Sequence, residues 1–150
     1  MKYTTCQSSR LGNRAVNQDR CAILKNHNAV LLLLADGLGG RSNGELAAQR
    51  FIDVMSEIFY KTNYPIINVK KYLQQNILAA HREIQKISAD NNKNPYTTCV
   101  CALVHEQNIT WAHAGDSRLY LYRKNQLLTR TRVNTTCAPF AETEGPITWS

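Results

Sequence analysis

The sequence predicts an α+β domain in which antiparallel strands are layered with two long helices. Three observations predict it. The run Val30-Leu31-Leu32-Leu33-Leu34-Ala35 is apolar at every position, as in a strand covered on both faces. Two stretches between about residues 47 and 87 then carry apolar residues at helical spacing. From residue 96 to residue 128, short β-prone runs alternate with turn residues, which reads as a meander.

Residues 2–10 mix Tyr, Thr, Cys and Ser with a period of two and read as a first strand, ended by the turn Leu11-Gly12-Asn13. Residues 20–24 and 29–35 are strands joined by the hairpin loop Lys25-Asn26-His27-Asn28. Ser42 and Glu45 have capping-box spacing. Behind them, apolar residues at 47, 51, 54, 55 and 58 share one face of a helix. Tyr64-Pro65 interrupts it. A second helix carries Ile66, Val69, Leu73, Ile77, Ala80, Ile84 and Ile87 in steps of three and four. That stripe also suits a coiled coil, but it is short, and two amphipathic helices packed on a sheet are favoured. Asp90-Asn91-Asn92-Lys93-Asn94-Pro95 is a polar loop. Residues 96–104 and 108–114 are strands; Gly115-Asp116 turns into Leu119-Tyr120-Leu121-Tyr122, and Arg123-Lys124-Asn125-Gln126 turns again before Leu127-Leu128. From Thr131 onward neither periodicity continues, so residues 131–150 are expected to be an atypical tail, out of frame or disordered, behind a unit spanning 1–130.

The 150 residues suffice for one domain with an ordinary core. Lysine and arginine exceed acidic residues by 18 − 11 = 7, a balance that favours anionic partners. No basic run or aromatic-interleaved basic stripe accompanies it, so a nucleic-acid module is not expected. The five cysteines are odd in number and form no Cys-x-x-Cys pair. Cys99 and Cys101 share a strand face and read as small buried apolar residues. This usage indicates a reducing, cytoplasmic compartment. The N-terminus has no apolar signal-like core, and the stretch 29–35 is too short to span a bilayer, so no membrane partner is expected.

The chemistry concentrates at Asp36-Gly37-Leu38-Gly39-Gly40. A buried strand ending in one carboxylate, followed by glycines, holds an acid at the edge of a core and lets main-chain carbonyls come close. A hard divalent cation takes such oxygen ligands. The plain alternative is a tight turn with Asp36 as a helix cap. Two further segments bear on the choice: Arg14-Ala15-Val16-Asn17-Gln18-Asp19 upstream, and Ala114-Gly115-Asp116-Ser117-Arg118 downstream.

In this order, the three segments resemble the signature motifs of the metal-dependent protein phosphatases, the type 2C serine/threonine family. The resemblance covers roughly residues 3 to 130. It implies two stacked antiparallel sheets with paired helices outside, and hydrolysis of phosphoserine or phosphothreonine in protein substrates by a water activated between two manganese or magnesium ions. By the resemblance, Asp36 bridges both ions, the Gly37 carbonyl adds a ligand, and Asp19 lies beside them. Arg14 pairs with the substrate phosphate, which its planar fork suits. Asp116 serves a third ion or the shell around the pair. Ser117 and Arg118 have structural roles. Leu38 stands where some relatives carry a histidine. His113 reads as a strand histidine, and His27, His81 and His105 as loop or helix-surface residues without a functional signal.

The resemblance also implies two later aspartates, in Asp-Gly and Asp-Asn segments, that have no counterpart here; the aspartates are 19, 36, 53, 90 and 116. Neither Asp53, on a polar helix side, nor Asp90, in a loop, replaces them. Two function classes follow: a phosphatase domain, or a truncated non-catalytic remnant, either an inactive pseudophosphatase or a phosphoprotein-binding module that keeps Arg14. Strands without partners would leave sheet edges exposed to self-association.

Overall fold

A computed structural model describes residues 3–38, 44–91, 95–133 and 140–144, with side chains for all of these except 88–91 and Phe140. Among the described residues, eight strands and two helices follow in the order β1 (Asp19–Lys25), β2 (Ala29–Leu38), α1 (Gly44–Lys61), α2 (Val69–Asn91), β3 (Tyr96–Thr97), β4 (Cys99–His105), β5 (Asn108–Ala114), β6 (Tyr120–Arg123), β7 (Gln126–Arg130) and β8 (Phe140–Glu144). The main sheet is antiparallel, in the order β1-β2-β4-β5-β8, with β3 also paired to β2. A second sheet consists of β6 and β7.

Both helices cover one face of the main sheet, and the α+β class with an antiparallel sheet and paired helices is as expected. Odd-numbered β2 residues face the helices, so Leu31, Leu33 and Ala35 are buried. The register carries Leu33 to Cys101 and Leu31 to Leu103 on β4, and Cys101 to Ala112 on β5, all buried in the same core. From α1, Ala47, Phe51, Val54 and Met55 meet this layer; from α2, Leu73, Ile77, Ala80 and Ile84 do. These are the positions that helical spacing marks in the sequence. Arg50 of α1 and Glu83 of α2 pair at 2.8 Å across the helix–helix groove.

Four differences from expectation concern local structure. Residues 3–10 form no strand; a period of two makes a strand only where a ladder partner takes its backbone groups. β2 does not end at Ala35 but runs on through Asp36 to Leu38, because β3 pairs with Gly37 and Leu38. The segment after residue 130 contributes a strand, β8, whose five residues lie against β5 from Ile109 to His113. Finally, His105 is neither in a loop nor on a helix surface; it ends β4 at 6% exposure, because its register with Ala29 turns it to the helix-covered face. The capping pair expected at Ser42 falls outside the described residues, as does Cys137.

The β6–β7 hairpin turns through Lys124 and Asn125, both at positive φ (50° and 59°), the backbone of a two-residue type I′ turn. It is tied to the main sheet by His113, whose Nε2 lies 2.8 Å from the Arg132 carbonyl, and it closes on itself where the Thr131 amide donates to the Leu119 carbonyl at 3.0 Å. Among the described residues no helix is long and apolar enough to cross a membrane.

Candidate metal centre

The β1–β2 ladder places Asp19 directly opposite Asp36. Each residue is held by its own set of bonds. The Asp19 amide donates to Asn17 Oδ1 at 3.0 Å, an Asx turn that starts the strand, and Asn17 Nδ2 donates in turn to Ser9 Oγ at 2.7 Å. Arg20 forks back over this turn: its Nη1 donates to the carbonyls of Asn17 (2.8 Å) and Asp19 (2.9 Å), and its Nε donates to Gln49 on α1 at 3.0 Å. Gln49 Nε2 is itself bonded to Asp53 at 2.8 Å, so Asp53 serves the helix and not the centre.

Asp36 is fixed from the other side. Its carbonyl accepts from the Thr98 amide (2.9 Å) and Thr97 Oγ1 (3.0 Å), and its amide donates to Thr98 Oγ1 at 3.2 Å. Thr98 Oγ1 also shares a hydrogen bond of 2.6 Å with Ser117 Oγ. This bond draws the Asp116 loop toward Asp36. Gly115 makes the approach feasible. It sits at φ +100°, and a Cβ there would fall 2.7 Å from a Thr98 side-chain carbon.

Gly37 is needed for a different reason. A Cβ on it would lie 2.3 Å from the Gly44 carbonyl oxygen and 2.9 Å from that of Gln18. The end of β2, the first residue of α1 and the buried Gln18 therefore close on one another through bare backbone. The Gly37 amide donates to the Gln18 carbonyl at 3.2 Å. A cleft of about 440 Å³ opens beside this junction, lined by Arg14, Val16, Gln18, Asp36, Gly37 and Leu38.

The electrostatics are those of crowded acids. Burial pushes the Asp36 carboxyl above the usual carboxylate range. Asp19 adds to this as a hydrogen-bond partner and as a like charge, and Asp116 adds a smaller repulsion, whereas Arg14 opposes it. Thus three of the motif residues, Arg14, Asp19 and Asp116, act on the fourth, Asp36, and Gly37 follows it in the chain. Facing carboxyls are relieved by a proton or by a cation between them. A hard divalent ion suits this all-oxygen set. The set is nonetheless a small one: among the described residues no three His, Cys, Asp or Glu side chains stand close enough to share one ion.

Sequence reasoning passed over Thr98 and Arg20, which bracket the two acids. Nothing in their neighbourhood marks them, since their roles arise from pairings 62 and 29 residues distant in sequence. His113 is a buried strand histidine bonded to backbone, as its position suggested. Gly39 and Gly40 lie outside the described residues.

The protein phosphatase 2C family model matches residues 6–139. The chain belongs to that family. A serine/threonine phosphatase, stp, of Listeria monocytogenes is 28% identical over 116 residues, which are 74% of this chain and 46% of the relative. The crystal structure of the serine/threonine phosphatase Stp1 from Staphylococcus aureus superposes with a TM-score of 0.70 at 32% identity, over 77% of this chain and 47% of that one. The catalytic domain of the phosphatase PstP, solved in complex with two manganese ions, shares the fold at a TM-score of 0.76 and 22% identity, over 92% of this chain and 70% of its own. The chain spans about half the length of the curated relatives it matches. The family match extends past residue 130 and stops at the start of β8.

Proposed function

We propose that this chain carries the N-terminal portion of a metal-dependent serine/threonine protein phosphatase centre, acting on phosphoserine and phosphothreonine in protein substrates. The observation that carries the reading is the cross-strand pair Asp19–Asp36, whose mutual repulsion a cation would relieve. In this reading Asp36 and the Gly37 carbonyl hold manganese or magnesium, Asp19 holds the same ions directly or through water, and Asp116 serves the outer shell. When bound, the ions lower the pKa of the attacking water and neutralise the phosphoryl oxygens. Arg14, exposed on the cleft wall, orients the substrate phosphate through its fork. Leu38 lines the same cleft and offers no proton, so the leaving oxygen takes its proton from solvent.

The chain's own carboxylates are few, and affinity follows ligand charge, so these residues by themselves bind the ions weakly. The reading includes a cytoplasmic location and self-association through exposed sheet edges. The test is hydrolysis of p-nitrophenyl phosphate by the purified chain under manganese titration, with Asp36→Asn as control. Manganese-dependent turnover lost in the variant supports the reading. Absence of turnover from a folded chain leaves the non-catalytic alternative.

A further inference from the structure

The cleft beside Asp36 has an apolar lip that the metal chemistry leaves unused. Leu38, two residues beyond Asp36 on β2, is 48% exposed and lines that cleft with Arg14 and Val16. Alternation along the strand puts Leu38 on the same face as Asp36. The β2–β3 ladder sets Tyr96, 58% exposed, directly opposite Leu38. Residues opposite one another on paired strands share a face and stand close, so Leu38 and Tyr96 make one apolar surface. Val16, 52% exposed, adds a third apolar side chain to the cleft. Exposed apolar residues gathered at a polar centre mark a contact surface, where single scattered ones do not.

The lip is tied to the centre. Next to Tyr96 on β3 stands Thr97, whose Oγ1 donates to the Asp36 carbonyl at 3.0 Å. Asp36 and Leu38 are offset along β2 by two strand residues, about 6.8 Å at ~3.4 Å each. An extended peptide has the same repeat, with every second side chain on one side. A phosphorylated residue held by Arg14 and the Asp19–Asp36 centre therefore brings the residue two positions away over Leu38 and Tyr96. The residue one position away points to the peptide's other side. Leu34, two residues before Asp36, lines a different cleft, shared with residues 4–8. The apolar contact thus lies on one side of the centre only.

We propose, resting on the phosphatase reading above, that Leu38 and Tyr96 determine substrate choice. They favour phosphoserine or phosphothreonine peptides that carry a large apolar residue two positions from the phosphorylated one.

The test is peptide binding to the folded chain with manganese present, read by fluorescence anisotropy. Three peptides carry a hydrolysis-resistant phosphonate analogue of phosphothreonine. One has leucine at both second positions from it, one has serine there, and one has leucine at both first positions. A fourth has plain threonine between second-position leucines. The parent is compared with Leu38→Ser and Tyr96→Ser, both at exposed positions, with folding checked by melting. Partial burial of one leucine predicts that the second-position leucine peptide binds the parent about fivefold or more tighter than the serine peptide. Each substitution should shrink that ratio toward one. Equal affinity of the parent for these two peptides would overturn the proposal and leave the phosphatase reading standing. So would a preference that survives both substitutions, or first-position leucines binding as tightly. Equally tight binding of the peptide without phosphonate would overturn it too, as a general apolar contact. Failure of a folded parent to bind any phosphonate peptide would strike the phosphatase reading, and the substrate choice with it.

Discussion

The two faces of the main sheet are built from similar residues and meet different fates. On the helix-covered face, Leu31, Leu33, Cys101 and Leu103 are all at or below 4% exposure. On the other face, Leu32 and Leu34 of the same strand are 36% and 38% exposed, yet farther along it Val100, Trp111 and His113 of β4 and β5 are buried. β2 is thus apolar on both sides, as suits the middle layer of a sandwich, but only one side is fully covered. Where a strand spends leucines on both faces, its sequence records two packing partners, whichever of them is in contact.

The comparison can be broken first on the covered face. Leu103→Ala or Phe51→Ala removes a side chain at 0% or 2% exposure and should cost ~3–5 kcal/mol, a large part of the stability of such a domain, measurable by urea unfolding. Next is the junction of that face with the centre. Gly37→Ala places a methyl 2.3 Å from the Gly44 carbonyl oxygen, backbone against backbone, and should cost about 1–3 kcal/mol. On the open face, Leu34→Ser should change stability by no more than about 0.5 kcal/mol while lowering any concentration-dependent association seen by sedimentation. A loss comparable to Leu103→Ala would show that this face is covered after all.

The smallest effect concerns pH. The Tyr64 hydroxyl keeps its proton to about 12, whereas in the unfolded chain it ionises near 10.0. Between those values the unfolded state binds fewer protons, so stability falls as pH rises through the window. Tyr64→Phe should flatten that part of the stability–pH curve and leave the neutral range parallel. An identical slope in both proteins would remove the burial assigned to this hydroxyl.

The fold and the centre were readable to different depths. The helices were plain because their buried stripe repeats locally: Ala47, Phe51, Val54 and Met55 declare their face within a few turns. β2 was plain for its length and composition. β8 was not, because Phe140-Ala141-Glu142-Thr143-Glu144 has no apolar alternation of its own and is a strand only through pairing with β5. Residues 3–10 failed in the opposite sense, with strand-like alternation and no ladder. At the candidate centre, the motif residues stand out in the sequence because each lies in a short contiguous pattern. The bonds that hold them do not: Thr98, Arg20 and the Gly37–Gly44 contact depend on residues brought together from distant segments. His105 was misjudged for the same reason, as its burial comes from register and not from composition.

The claim on which the account rests most is that the Asp19–Asp36 pair is a cation site. The direct measurement is manganese binding to the folded chain by calorimetry, with Asp36→Asn and Asp19→Asn beside the parent. Manganese should bind the parent saturably and weaken at least tenfold in both variants, while melting shows both still folded. Equal binding by the parent and both variants, or no binding by a folded parent, would contradict the assignment of these facing acids to a metal.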